Sequence, residues 1–119
     1  MKILDKEIDI EIDFFDYEVS KKFDNAVDKA MQEINKVTDG VSLSEGVLKT
    51  YEITKEFIIE FFGKEKFEEI GLRKHLGDCV RFFKDMKEYK DNYISEQVKL
   101  LDSYTKSNKY SSERIKRVK

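Results

Sequence analysis

Proline is absent from all 119 residues, and only five glycines punctuate the chain. Proline is the residue that removes a backbone donor and breaks helices, so its absence predicts long uninterrupted helical segments. The length suits a single domain that buries a core without disulfides or a structural metal. The expected fold class is mainly α: a small helical bundle with a short N-terminal β-hairpin and a long C-terminal helix.

Charge narrows the class of function. Lysine and arginine total 23 against 25 acidic residues, a net charge of -2. Such a balance carries no global signature of a nucleic-acid or membrane-surface binder. The single cysteine, Cys79, has no internal partner, which points to a reducing compartment. The opening "MKILDKEIDIEID" lacks the apolar run of a signal peptide. Apolar runs elsewhere fall far short of the roughly 18 residues of a membrane span. The expectation is a cytoplasmic protein.

The first segment alternates. Ile8, Ile10 and Ile12 point one way and Glu7, Asp9, Glu11 and Asp13 the other, as in a strand with one buried face. Ile3 and Leu4 make a short partner strand, with the turn at Asp5-Lys6. Such a hairpin is marginal alone and must lie on helices. The period then changes. Val19, Phe23, Ala26, Val27, Ala30, Ile34 and Val37 recur at three and four residues, with Asp16 as N-cap and Asp39-Gly40 as the stop. Ser42 and Glu45 form a capping-box pattern before a second helix. Its stripe is Val47, Tyr51, Thr54, Ile58, Phe61 and Phe62, with Phe57 and Ile59 at the margins and Gly63 as the stop. "KEKFEEIG" reads as a short helix or turn closed by Gly71.

From Leu72 to about Ser107 nothing stops a helix. Leu72, Leu76, Cys79, Val80, Phe83, Met86, Tyr93, Ile94, Val98, Leu101 and Tyr104 share one broad face. Lys90 and Gln97 interrupt its midline, so the second half is expected to be only partly covered. Residues 1–105 read as one helical domain. Residues 106–119 read as a basic, frayed tail carrying Lys106, Lys109, Arg114, Lys116, Arg117 and Lys119.

No enzyme signature is present. There is no glycine-rich phosphate loop or serine-centred elbow, and the lone histidine, His75, has nothing to position it. His75 and Cys79 are four apart, but two ligands do not make a metal site; a surface histidine beside a core cysteine is the reading. The alternating carboxylates read as a solvated strand face and do not match a calcium loop. No cofactor is implied. The aromatic excess is more informative. Phe82, Tyr89, Tyr93 and Leu100 line one shoulder of the long helix, and with Phe57 and Ile59 they are the candidate partner or self-association face. A wider core is the competing reading of that shoulder.

Two stretches, "KEIDIEIDFFDYEVSKKFDNAVDKA" (Lys6 to Ala30) and "YEITKEFIIEFFGKEKFEEIG" (Tyr51 to Gly71), with Cys79 downstream, resemble the tail assembly chaperones of long-tailed bacteriophages of Gram-positive bacteria. The resemblance covers about residues 1–100 and leaves the basic tail outside. It implies a homo-oligomeric binding protein in the host cytoplasm, left out of the mature virion. Such a protein coats the helical tape-measure protein and keeps it soluble until tail-tube subunits polymerise. A frameshifted longer form, where one exists, recruits the tube protein. The alternative is a small nucleic-acid-binding regulator acting through the basic tail. An enzyme is the third reading and the least supported.

Overall fold

The computed structural model describes the backbone of residues 1–37 and 41–118, and the side chains of these residues through 104. The elements are β1 (Lys2–Ile3), β2 (Lys6–Glu7), α1 (Tyr17–Val37), α2 (Leu43–Phe62), α3 (Lys64–Ile70) and α4 (Leu76–Val118). The fold is mainly α, as expected. Met1–Tyr89 is one compact unit and Lys90–Lys119 a second. The backbone of α4 extends to Val118.

β1 and β2 pair antiparallel, Lys2 with Glu7 and Ile3 with Lys6. The turn is therefore Leu4-Asp5, one residue earlier than the sequence indicated. Both residues have positive φ, 50° and 68°, the backbone of a tight type I′ hairpin turn. Neither is glycine or asparagine, so the turn is supported from outside. The Leu4 N–H donates to Asp85 Oδ2 at 2.8 Å, and Arg81 Nη2 donates to Asp5 Oδ2 at 2.9 Å. Arg81 and Asp85 lie one turn apart on α4. The isoleucine alternation tracks burial, with Ile8 and Ile12 buried and Ile10 half-buried. It does not make a long strand: β2 is Lys6–Glu7, and beyond it the Ile8 N–H donates to the Met1 carbonyl at 2.8 Å and the Met1 amino group to the Ile8 carbonyl at 2.9 Å, where the chain of β1 begins.

The helix ends follow local chemistry. Asp16 Oδ1 accepts the Val19 N–H at 3.1 Å and caps α1. The expected stop at Asp39-Gly40 lies outside the described residues. Ser42 Oγ accepts the Glu45 N–H at 3.3 Å and caps α2. Gly63, at φ 97° and ψ 162°, ends α2 and opens α3. Gly71, in the left-handed region at φ 68°, ends α3. Both glycines adopt backbone that a side chain disfavours. At the start of α4, His75 Nδ1 accepts the Asp78 N–H at 3.2 Å. Arg73 grips the Asp78 carboxylate with two hydrogen bonds of 2.8 and 2.9 Å.

The core is built from Ile3, Ile8, Ile12 and Phe14 of the N-terminal segment, Phe23 and Ala30 of α1, Phe57 and Ile58 of α2, Ile70 and Leu72, and Cys79, Phe82 and Met86 of α4. Aromatic rings run through it. Phe14 meets Phe23 at 5.0 Å between centroids, Phe23 meets Phe57 at 6.4 Å, and Phe57 meets Phe82 at 5.9 Å and Phe83 at 5.4 Å. Edge-to-face contacts of this kind add to the area each ring buries. Thr54, fully buried, donates its hydroxyl to the Thr50 carbonyl at 2.8 Å and so leaves no polar debt in the core.

Candidate interaction surface

The six residues expected to form a partner face separate. Phe57 and Phe82 are 3% and 0% exposed, so both are core and not surface. The correction has a plain cause. α2 has Phe23 of α1 on one side and Phe82 and Phe83 of α4 on the other, so Phe57 is enclosed although the helical wheel puts it at the margin. The buried positions of α2 are Thr50, Thr54, Phe57 and Ile58, while Phe61 and Phe62 are half-buried. Ile59 is half-buried as well. Tyr89 is half-buried and structural: its ring lies 5.9 Å from that of Phe14, and its hydroxyl oxygen is 3.5 Å from the Ile12 N–H. Tyr93, in the second unit, is half-buried, and Leu100 is 63% exposed.

Leu100 has exposed apolar neighbours. Val98, Leu100, Leu101 and Tyr104 are all exposed on the Lys90–Val118 stretch of α4. That stretch is a helix with no second element in its own unit on which to bury an apolar face. Sequence reading placed Val98, Leu101 and Tyr104 on the broad stripe. The signal that this half of the stripe is open was Lys90 and Gln97 on its midline. A second apolar patch was missed. Leu43 and Leu48 are exposed and, with Ser42, Ser44, Val47 and Lys74, line a shallow groove beside the first turns of α2. Leu76 and Val80 are exposed on the first turns of α4.

The polar groups are engaged in structure. Cys79 is fully buried; burial pushes its thiol above its ordinary value, opposed in part by a hydrogen bond with Thr54. Hydrogen bonding to Arg73 holds the Asp78 carboxyl below the ordinary carboxylate value, and burial opposes the shift. Hydrogen bonding to Arg81 lowers Asp5 in the same way. Among the described residues, no group of three or more histidine, cysteine, aspartate or glutamate side chains is placed to hold a metal ion. Nor is any helix there long and apolar enough to cross a membrane.

Comparison with known proteins places the chain. Residues 5–119 match the family of unknown function DUF6673. The chain belongs to that family. No curated protein and no solved structure matches it.

Proposed function

We propose that this DUF6673 chain is a phage tail assembly chaperone. It self-associates in the host cytoplasm, coats the tape-measure protein and keeps it soluble until tail-tube subunits displace it. The observation that carries the reading is the run of exposed apolar residues Val98, Leu100, Leu101 and Tyr104 on a helix that is a unit of its own. Exposed apolar surface on a helix is what receives another amphipathic helix, and a tape-measure chain is long, helical and apolar-striped. The sequence resemblance names that partner. Weak contacts repeated along a long tape add up through multivalency, so a single subunit need not bind tightly. A frameshifted longer form would recruit the tube protein, and the coat would leave before the virion is complete.

The test is co-expression with a helical fragment of a phage tape-measure protein. The expected result is a soluble complex with many copies of the chain per tape fragment. A fragment that stays insoluble whether or not the chain is present would sink the reading. Salt-sensitive DNA binding lost on deleting residues 106–119 would replace it with the nucleic-acid alternative.

A further inference from the structure

We propose that copies of this chain join through unlike patches of the compact unit: the acidic corner that carries Tyr17 in one copy seats on the groove of Leu43 and Leu48 in a second. The proposal rests on the self-association in the reading above and gives it two surfaces, both outside the stretch of α4 assigned to the tape.

The two surfaces differ in kind. At the corner where the N-terminal segment enters α1, Tyr17 is 62% exposed and Phe15 51%. Asp13, Asp16 and Glu18 around them are exposed as well. At the start of α2, Leu43 is 81% exposed and Leu48 41%, and the groove they line is bordered by Lys74. Clustered apolar side chains open to water mark a surface that associates. One patch is aromatic and acidic; the other is aliphatic with a basic edge.

Charge selects the occupant. Lys74 and Lys49 are exposed. The groove also lies against the first turn of α2, whose backbone N–H groups give that end of the helix a positive character. A corner rich in carboxylates is what such a groove attracts. Two grooves face to face would set lysine against lysine, and two corners would set carboxylate against carboxylate. Each patch also has a charge of the minority sign nearby. Lys21 Nζ lies 5.7 Å from the centroid of the Tyr17 ring, and Glu45 is in the first turn of α2. These two are again opposite in sign. The unlike pairing is therefore favoured over either like pairing.

Placement makes the contact intermolecular. The start of α1 lies beside the end of α2: the rings of Phe23 and Phe61 are 5.5 Å apart, and Lys22 Nζ is 5.5 Å from the centroid of the Phe61 ring. The end of α1 lies beside the start of α2, where a Cβ on Gly46 would stand 3.9 Å from Val37. The helices are thus antiparallel, and the 21 residues of α1 keep corner and groove about 30 Å apart. A corner cannot reach the groove of its own chain. It can reach that of a second copy, and a contact between unlike patches is one that can repeat from copy to copy along a tape.

The experiment uses the full chain. Sedimentation over a concentration series should show the parent associating. Tyr17→Ser and Leu43→Ser, both at exposed positions, should each weaken association roughly thirtyfold with the melting midpoint unchanged. Lys74→Glu should weaken it about fivefold. The deciding step is to mix the two serine variants at a concentration where each alone is monomeric. One supplies an intact groove and the other an intact corner, so the mixture should form a dimer. A parent that stays monomeric overturns the proposal, as does a mixture that stays monomeric or a serine variant that associates as the parent does. A monomeric parent whose capture of the tape fragment is lost in Leu43→Ser would also overturn it, since the groove would then belong to the tape. The two readings fail separately. Copies that join corner to groove but leave the tape fragment insoluble keep the contact and remove the chaperone. A monomer that solubilises the fragment does the reverse.

Discussion

Phe57 lies within aromatic contact of four rings, those of Phe23, Phe61, Phe82 and Phe83. Truncating it opens a cavity that rigid neighbours cannot fill. Phe57→Ala should cost about 3–5 kcal/mol in urea unfolding, whereas Leu100→Ala, at an exposed position, should stay within about 0.5 kcal/mol. An equal effect at the two sites would reverse the assignment of core and surface. Cys79 offers a chemical check. Buried, with its thiol raised, it should resist alkylation in the native chain and react fully in denaturant. Asp78, and to a lesser degree the exposed Asp5, contribute to acid sensitivity. The folded carboxyl of each lies below its unfolded value, Asp78 through Arg73 and Asp5 through Arg81. Their contribution is therefore fully present above the ordinary carboxylate range and is lost as pH falls through the lower folded values. Between about pH 6 and about pH 2, Arg73→Met should lose less stability than the parent chain. A steeper acid loss in the variant would contradict the sign.

At the scale of elements, the helix ends were the most legible part of the sequence. Asp16, Ser42, Gly63 and Gly71 each do what a capping or stop residue does, because caps depend on chemistry within one turn. Gly63→Ala would force a side chain into backbone at φ 97°, at an expected cost of about 1–3 kcal/mol. Gly46 is the opposite case. It sits inside α2, and an added Cβ would meet only Val41 and Val37 at 3.8 and 3.9 Å, ordinary contact. Gly46→Ala should raise stability by up to about 1 kcal/mol in thermal or urea melts. The hairpin was less legible. Its register depends on Arg81 and Asp85, some eighty residues away, and no local pattern could place the turn at Leu4-Asp5.

For the molecule as a whole, every buried apolar side chain among the described residues lies from Ile3 to Met86. The core therefore belongs to Met1–Tyr89, and the helix beyond Lys90 contributes surface. A chain ending near Tyr89 should keep the cooperative melt of the parent. Loss of the melt would show that the second unit is part of the fold. Much of the partner face expected from sequence dissolved at this scale. A wheel shows which residues share a side of one helix, but whether a neighbour covers that side is not a property of the helix.

The sequence by itself determined the mainly α class, the helices and their caps, the absence of long-range covalent ties, and the amphipathic period of each segment. These are consequences of proline and glycine content, local hydrogen bonding and spacing, which act over a few residues. Only the tertiary structure decided that Phe57 and Phe82 are core, that the turn is Leu4-Asp5, and that the compact unit closes at Tyr89 while α4 goes on. Those outcomes turn on which faces meet, and burial is settled by contacts between residues far apart in the chain.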